Sequence, residues 1–293
     1  MDLIGRLRGP AAHDREATTT VELAVPGALL AYSTTRALPR HTLYGAAVCI
    51  VLQGRKRVTL ADARLECGPG ECFVVGLDLP VVAEVLEASR ECPYLALVLP
   101  LDPALLRELS SHLPPGSHTA TPSPARQLRV GVAGAGAMAA VERLLALEED
   151  ADAAAALGGS ALRELYYRLL RGPAGPALLA AIERGTAGWQ VAEAVAHIRA
   201  NLSEPLRIDE LARRAGMSET SFRLHFRRAT DFSPLQYIKR LRLLEARRRM
   251  RRGGTARLQE VAYGVGYESA SQFSREFKRA FGHAPREEIR AVG

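Results

Sequence analysis

Two stretches of this chain carry one pattern. Residues 216–234 read GMSETSFRLHFRRATDFSP, and residues 266–285 read GYESASQFSREFKRAFGHAP. Phe222, Phe226, Arg227, Arg228, Ala229 and Pro234 recur as Phe273, Phe277, Lys278, Arg279, Ala280 and Pro285, all at an offset of 51. Just upstream the offset is 50, where Glu210, Leu211, Ala212 and Gly216 recur as Glu260, Val261, Ala262 and Gly266. The repeat therefore has one extra residue in its second turn.

This repetition restricts the fold of the C-terminal third to helix, turn, helix, written twice. Each copy opens with a short helix (RIDELARRA, then ARLQEVAYGV), breaks at a glycine, and continues into a helix with two phenylalanines four residues apart. That spacing puts both rings on one face, where they pack against Leu211 and Ala212 or against Val261 and Ala262. Ser218 fits the N-cap of the first copy, and Ser269-x-x-Gln272 fits a capping box in the second. Thr220, Arg223, Leu224 and Arg227 then point outward from one helix. Ala270, Ser271, Gln272, Ser274, Arg275 and Lys278 point outward from the other. Short polar and arginine side chains on the first turns of a second helix suit a major-groove reader. Arginine bonds guanine in bidentate fashion, and Ser, Thr and Gln bond base edges or phosphates.

Between the copies, SPLQYIKRLRLLEARRRMRRGG predicts a long helix with Ser233 as N-cap, Pro234 at its first position and Gln236 closing a capping box. It ends at Gly253-Gly254. Nineteen residues from Pro234 to Arg252 make a rod of about 28 Å. Such a rod would hold two reading heads about one DNA turn apart, roughly 34 Å. Lys239, Arg240 and Arg242, with the Arg247–Arg252 run, are expected to neutralise phosphates. Charge is distributed accordingly. From Trp189 onward there are 21 Lys and Arg against 12 Asp and Glu, whereas the rest of the chain has 18 against 20. A basic tail on a near-neutral body points to a polyanion partner for the tail alone.

Residues 20–100 read differently. LLAYSTTR, AAVCIVL, RKRVTLA, CFVVG, PVVAEVLEA and YLALVLP predict short strands with no helical text between them, hence an antiparallel sandwich or barrel. VLQGRKRVTL predicts a hairpin turning at Gln53-Gly54, and CGPGEC another turn. Asp102-Pro103 starts a helix, and 111–126 is a polar, Pro-rich loop. AMAAVERLLALEE, SALRELYYRLLRG and the short text within 172–188 are helical. The domain boundary falls there, giving 1–185 (barrel about 20–100, helices about 102–183) and 189–293. Gly134-x-Gly136-x-x-Ala139 after RVGVA imitates a dinucleotide fingerprint, but no second strand bearing a ribose-binding acid follows. A hydrophobic fraction of 47% excludes a mainly disordered chain. The N-terminus has no apolar run fit for a secretory signal, and no apolar stretch approaches the roughly 20 residues of a membrane helix. Cys49, Cys67, Cys72 and Cys92 form no C-x-x-C and read as reduced thiols of a cytoplasmic protein.

The tail from RIDELARRAGMSETSFRLHFRRATDFSP through EVAYGVGYESASQFSREFKRAFGHAPRE closely resembles the DNA-binding domain of AraC/XylS-type transcriptional regulators, over about residues 190–290. The resemblance implies base-reading positions at Thr220, Arg223, Leu224 and Arg227, then at Ala270, Ser271, Gln272 and Arg275. Phosphate contacts are expected from Ser218, Ser269, Lys239, Arg240, Arg242 and Lys278. Leu258 departs from the usual Ile, and PREEI lacks the common aromatic after the final proline, so the last helix is expected to pack differently. The N-terminal half looks like the cupin-like sensor of a subgroup of these regulators. Metal-dependent cupins carry His-x-His and later His and carboxylate ligands. Here only His41, besides His13, is on offer, so no metal, cofactor or catalytic site is expected. Tyr32, Arg36, His41 and Tyr44 are the candidate effector contacts.

The expected fold is a two-domain α+β chain, a cupin-like β-barrel with flanking helices followed by an all-α domain of two helix-turn-helix motifs joined by a long helix. The expected function is a cytoplasmic, homodimeric, non-enzymatic transcription regulator. It would bind double-stranded DNA and a small-molecule effector, with RNA polymerase a further partner and no membrane association. The alternatives are a constitutive DNA-binding protein whose barrel only dimerises, and a cupin-type or nucleotide-dependent enzyme.

Overall fold

Strands buried on both faces need no polar alternation, and the most apolar runs of the chain occupy that position. The computed structural model describes residues 18–114, 127–252 and 257–290. His13 with the N-terminal stretch, most of the Pro-rich loop and Gly253-Gly254 lie outside them. Among the described residues, β1 (Thr19–Glu22), β2 (Leu29–Ser33), β9 (Tyr94–Pro100), β4 (Ala47–Gln53), β7 (Glu71–Val75) and β10 (Leu128–Val132) form a six-stranded sheet in that order. A four-stranded sheet, β3 (Ala37–Tyr44), β8 (Leu79–Glu87), β5 (Arg55–Leu60) and β6 (Ala63–Cys67), faces it. All pairings are antiparallel.

The larger sheet sends alternate residues to two cores. Cys49, Val51, Phe73, Val75 and Ala96 fill the space between the sheets. Val48, Ile50, Cys72, Val74 and Leu97 face a helical layer on the outside. That layer comprises α1 (Pro103–Ser110), α2 (Ala135–Ala146), α3 (Ala151–Arg171) and α4 (Gly175–Ile182). As predicted, α1 starts at Asp102, whose Oδ1 accepts from Ala104 and Leu105 N–H. The smaller sheet shows clean alternation. On β5, Lys56, Val58 and Leu60 are buried, while Arg57 reaches out to Glu66 and Glu84 on the neighbouring strands. The Gly134 turn leads from β10 into α2, and β10 runs antiparallel to β7, so the βαβ geometry of a dinucleotide site is missing there.

The turn at Gly54 is not a hairpin. β4 and β5 belong to different sheets, and Gly54 is the corner where the chain crosses between them. Its φ is +75°, and a Cβ there would lie 2.5 Å from the Glu87 carbonyl oxygen, so glycine is required. The hairpin lies one strand later, where Leu60 pairs with Ala63 around Ala61-Asp62.

Among the described residues seven helices follow: α5 (Ala187–Ala200), α6 (Ile208–Arg214), α7 (Glu219–Thr230), α8 (Pro234–Arg252), α9 (Leu258–Gly264), α10 (Ala270–Phe281) and α11 (Pro285–Arg290). Two two-helix units, α6–α7 and α9–α10, are joined by α8. The N-terminal half of α8 buries Tyr237, Ile238 and Leu241 with the first unit, and its C-terminal half buries Leu243, Ala246 and Met250 with the second. The first unit shares one continuous apolar cluster with the barrel interior, whereas the second has a cluster of its own.

Candidate nucleic-acid interface and sensor interior

The two copies of the repeat fold alike. Phe222 and Phe226 are fully buried with centroids 5.3 Å apart, and Phe273 and Phe277 repeat this at 5.5 Å. Leu211 and Ala212 share the first pair's cluster, and Val261 and Ala262 the second's. The turn glycines Gly216 and Gly266 have φ of +64° and +87°. A Cβ on Gly266 would meet the Leu202 carbonyl oxygen at 2.7 Å.

The caps differ in completeness. Ser218 accepts from Ser221 N–H, and Ser269 accepts from Gln272 N–H. Gln272 does not close the predicted capping box, because its Nε2 donates to Glu276 Oε1 at 3.2 Å. The box at Ser233 is complete: its Oγ accepts from Gln236 N–H, and Gln236 Oε1 accepts from Ser233 N–H.

On the outward faces, Thr220, Arg223, Leu224, Arg227, Ser271, Arg275 and Lys278 are exposed. Arg227, Arg275 and Lys278 carry no ion pair among the described residues. Arg223 donates from Nε and Nη2 to Glu219 one turn before it, at 3.0 and 2.6 Å. Ala270 is half-buried against the second unit's core, and Ser274 Oγ donates back to the Ala270 carbonyl.

The basic long helix is engaged within the protein to a degree that its sequence conceals. Arg242 donates to the carbonyls of Leu202 at 2.9 Å and Glu204 at 2.8 Å. Lys239 pairs with Glu276 of α10 at 2.8 Å. Glu276 also accepts from Tyr267 and Gln272 and so ties α8 to α10. Burial raises the Glu276 pKa, but these donors overrule it and hold the carboxyl below the usual range. Arg247 and Arg251 both pair with the buried Glu288 of α11, at 3.0 and 2.9 Å, and His283 Nε2 meets its other oxygen at 2.6 Å. This ion cluster seats the last helix against α8. Arg248 and Arg249 share Glu245, and Arg249 also donates to the Gly264 carbonyl. Arg240 lies over the Phe232 ring at 4.6 Å. Lys239, Arg242, Arg247, Arg249 and Arg251 thus brace helices through partners in the loop after α5 and in α9, α10 and α11, while Arg248 pairs within α8.

The four candidate effector residues do not converge. Tyr32 is buried on the face of β2 shared with Leu30, opposite the inward Ala31. Arg36 is exposed at the β2–β3 corner. His41 packs edge-on against Phe281 of α10 at 5.2 Å, on the seam between barrel and tail. Tyr44 alone points into the barrel, where Lys56 and Tyr94 meet it. Lys56 was absent from the sequence-derived candidates, although its alternation with Val58 and Leu60 marks it as inward-facing.

Barrel and tail are clamped at Asp78. Its carboxylate pairs with Arg199 of α5, and its backbone carbonyl accepts from Tyr237 Oη of α8. Gln127 N–H adds a bond to the Ala229 carbonyl at 3.2 Å.

Residues 24–177 match the family profile described as the AraC-type transcriptional regulator N-terminus, which is more than half of the chain. The chain belongs to the AraC-type transcriptional regulators. A helix-turn-helix domain profile matches residues 211–291 of this AraC-type chain. Its relatives include the HTH-type transcriptional activator RhaS of Pectobacterium carotovorum, 33% identical over 86 residues, covering 29% of this chain and 30% of RhaS. The HTH-type transcriptional regulator ArgR of Pseudomonas aeruginosa is 30% identical over 154 residues, 52% of this chain and 46% of ArgR. The chain therefore spans about a third to a half of the curated relatives it matches. Its fold is similar to that of ToxT from Vibrio cholerae, solved with an unsaturated fatty acid bound, with a TM-score of 0.57 and 12% identity over 92% of this chain and 96% of ToxT. Among the described residues no helix is long and apolar enough to cross a membrane.

Proposed function

We propose that this AraC-type chain is a sequence-specific DNA-binding transcription regulator whose operator binding responds to a small molecule taken up by the barrel. The observation that carries the reading is the pair of like-folded heads on one braced helix. Each presents outward side chains, with Thr220, Arg223, Leu224 and Arg227 exposed on one and Ser271 and Arg275 exposed on the other beside a half-buried Gln272, while the shared phenylalanines stay inside. The shared residues build the heads, and the unshared ones would read two different half-sites in successive major grooves. Phosphate contacts fall to Ser218, Ser269, Arg240 and Lys278, which lie outside the internal ion pairs. Lys239 and Arg242, also expected at phosphates, are proposed instead to brace the helices, a reading supported by their bonds to Glu276 and to the Leu202 and Glu204 carbonyls.

The effector would act by population shift, favouring one barrel–tail arrangement over another. The Asp78 clamp and the His41–Phe281 contact provide a seam for such a change. The reading includes a second copy of the chain as dimer partner, RNA polymerase as the target of regulation, and a cytoplasmic setting in keeping with four free cysteines. Selection of bound duplexes from a random pool with the purified chain, repeated over a salt series, tests it. Two short conserved blocks at one fixed spacing are the expected yield, and unselected sequences at every salt concentration would sink the proposal.

A further inference from the structure

The barrel interior holds a cation. Lys56 is 6% exposed, and its ammonium lies 5.3 Å from the ring centroids of both Tyr44 and Tyr94. These side chains start far apart. Tyr44 pairs with Leu79 at one end of β8, Lys56 pairs with Val85 toward the other end, and Tyr94 opens β9 in the facing sheet. They meet only because three long side chains reach into the same space. The hydroxyl oxygens of Tyr44 and Tyr94 are buried there without a hydrogen-bond partner. Acids near Lys56 in sequence and sheet are engaged elsewhere: Glu66 and Glu84 pair with Arg57, and Glu87 pairs with Arg55.

A buried ammonium is costly unless an acceptor meets it, and a buried unpaired hydroxyl is costly too. The ammonium is a donor only, and each phenol adds an O–H donor beside an oxygen that can accept, so donors outnumber acceptors here. The ammonium has three N–H bonds and each phenol one O–H. Burial drives the pKa of both tyrosines up, so they remain protonated donors. Around them stand apolar walls that include Cys49, Val58, Val85 and Ala96. A lone positive charge, two neutral donors and hydrocarbon walls match a monoanion with an apolar body. A phosphate dianion would bring two charges to one cation, and a sugar would set many hydroxyls against hydrocarbon walls.

We infer that Lys56, Tyr44 and Tyr94 anchor the carboxylate of an apolar organic acid. The inference rests on the reading of the barrel as a sensor and names the class of its effector. Both rings cover the ammonium, so binding displaces them. Tyr44 ends the same edge strand on which His41 touches Phe281, and this places the anchor on a short path to the second head.

The test uses the full chain, octanoate and benzoate as probes, and octanamide and benzamide as uncharged matches. Calorimetric titration should show the acids binding and the amides not. Lys56→Met keeps the apolar stem and removes the charge; it should fold and lose acid affinity by about a hundredfold. Tyr94→Phe should lose about tenfold. Acids and amides binding alike, neither acid binding, or Lys56→Met binding acids as tightly as the parent would each overturn the inference. If Lys56→Met does not fold, unchanged acid affinity in Tyr94→Phe overturns it. Acids that bind through these residues yet leave affinity for the selected DNA unchanged would instead overturn effector control and leave the anchor standing.

Discussion

Replacing Tyr237 by phenylalanine removes one oxygen and no carbon, so it isolates the hydrogen bond that joins α8 to the barrel. The Tyr237 ring is fully buried, and its hydroxyl donates to the Asp78 carbonyl. Loss of a neutral hydrogen bond costs about 1 kcal/mol, and an acceptor left buried without a partner raises this to about 3 kcal/mol. The other half of the clamp, Arg199 with Asp78, involves an arginine side chain that is 56% exposed and contributes about 0.5 kcal/mol or less. Tyr237→Phe is therefore expected to raise the population of the undocked arrangement about 5- to 150-fold. Amide exchange around Asp78 and Tyr237 should accelerate by the same factor while amides of the second head do not. Trp189 supplies a second readout. It is the chain's single tryptophan, and it lies 5.8 Å from Arg107 of α1 and 5.7 Å from Arg184. Its fluorescence under urea should report a lower midpoint at an unchanged slope. Unaltered exchange at Asp78 together with an unaltered midpoint would refute the clamp.

Arg275→Ala should cost ~1–3 kcal/mol and relax base preference at one operator position; an equal loss on all sequences would move Arg275 to the phosphate set. Arg242→Ala removes two charge-assisted bonds to Leu202 and Glu204 and should lower stability by ~2 kcal/mol in urea titration. The slope of DNA affinity against salt should stay the same, and a slope smaller by about one would mark Arg242 as a phosphate contact. His41 is held below the ordinary histidine value of 6.5 by burial, then by Arg240 and Arg247. The unfolded chain takes up that proton more readily, so stability is full above about pH 6.5 and falls as pH drops through the folded value. His41→Gln should flatten this acid-side slope, and an identical slope would exclude His41 as its source. Gly54→Ala should destabilise by at least ~2 kcal/mol, because it combines φ of +75° with a 2.5 Å contact to Glu87. A thermal midpoint equal to the parent's would contradict the corner geometry.

The strands visible in the sequence and those that were not differ in one physical respect. The six apolar runs became β2, β4, β5, β7, β8 and β9, all interior to their sheets. The four unforeseen strands, β1, β3, β6 and β10, are the four sheet edges. An edge strand pairs on one side only and keeps polar residues toward solvent, as in ALPRHTLY of β3, so apolar text does not announce it. Gln53-Gly54 has hairpin composition, yet the glycine serves a crossing between sheets that only long-range pairing decides. The heads were legible because the repeat states its scaffold twice. The role of the arginines in α8 was not, since a run of charge looks the same whether it faces phosphate or, as with Arg247, Arg251 and Glu288, braces a neighbouring helix. Lys56 was legible from its alternation and was hidden by the two arginines that flank it.

The continuous cluster that runs from the barrel through α5, α6 and α7 to Tyr237 bears on how such regulators can be recombined. A cut at the residue 185–189 boundary would pass through shared hydrophobic packing and strip the Tyr237 hydroxyl of its Asp78 acceptor. The second head, with its separate core of Leu243, Met250, Phe273 and Phe277, is the more portable part. Grafts that carry the first head along with its barrel, and join inside α8, would keep each core whole. A chimera built that way would exchange one half-site at a time.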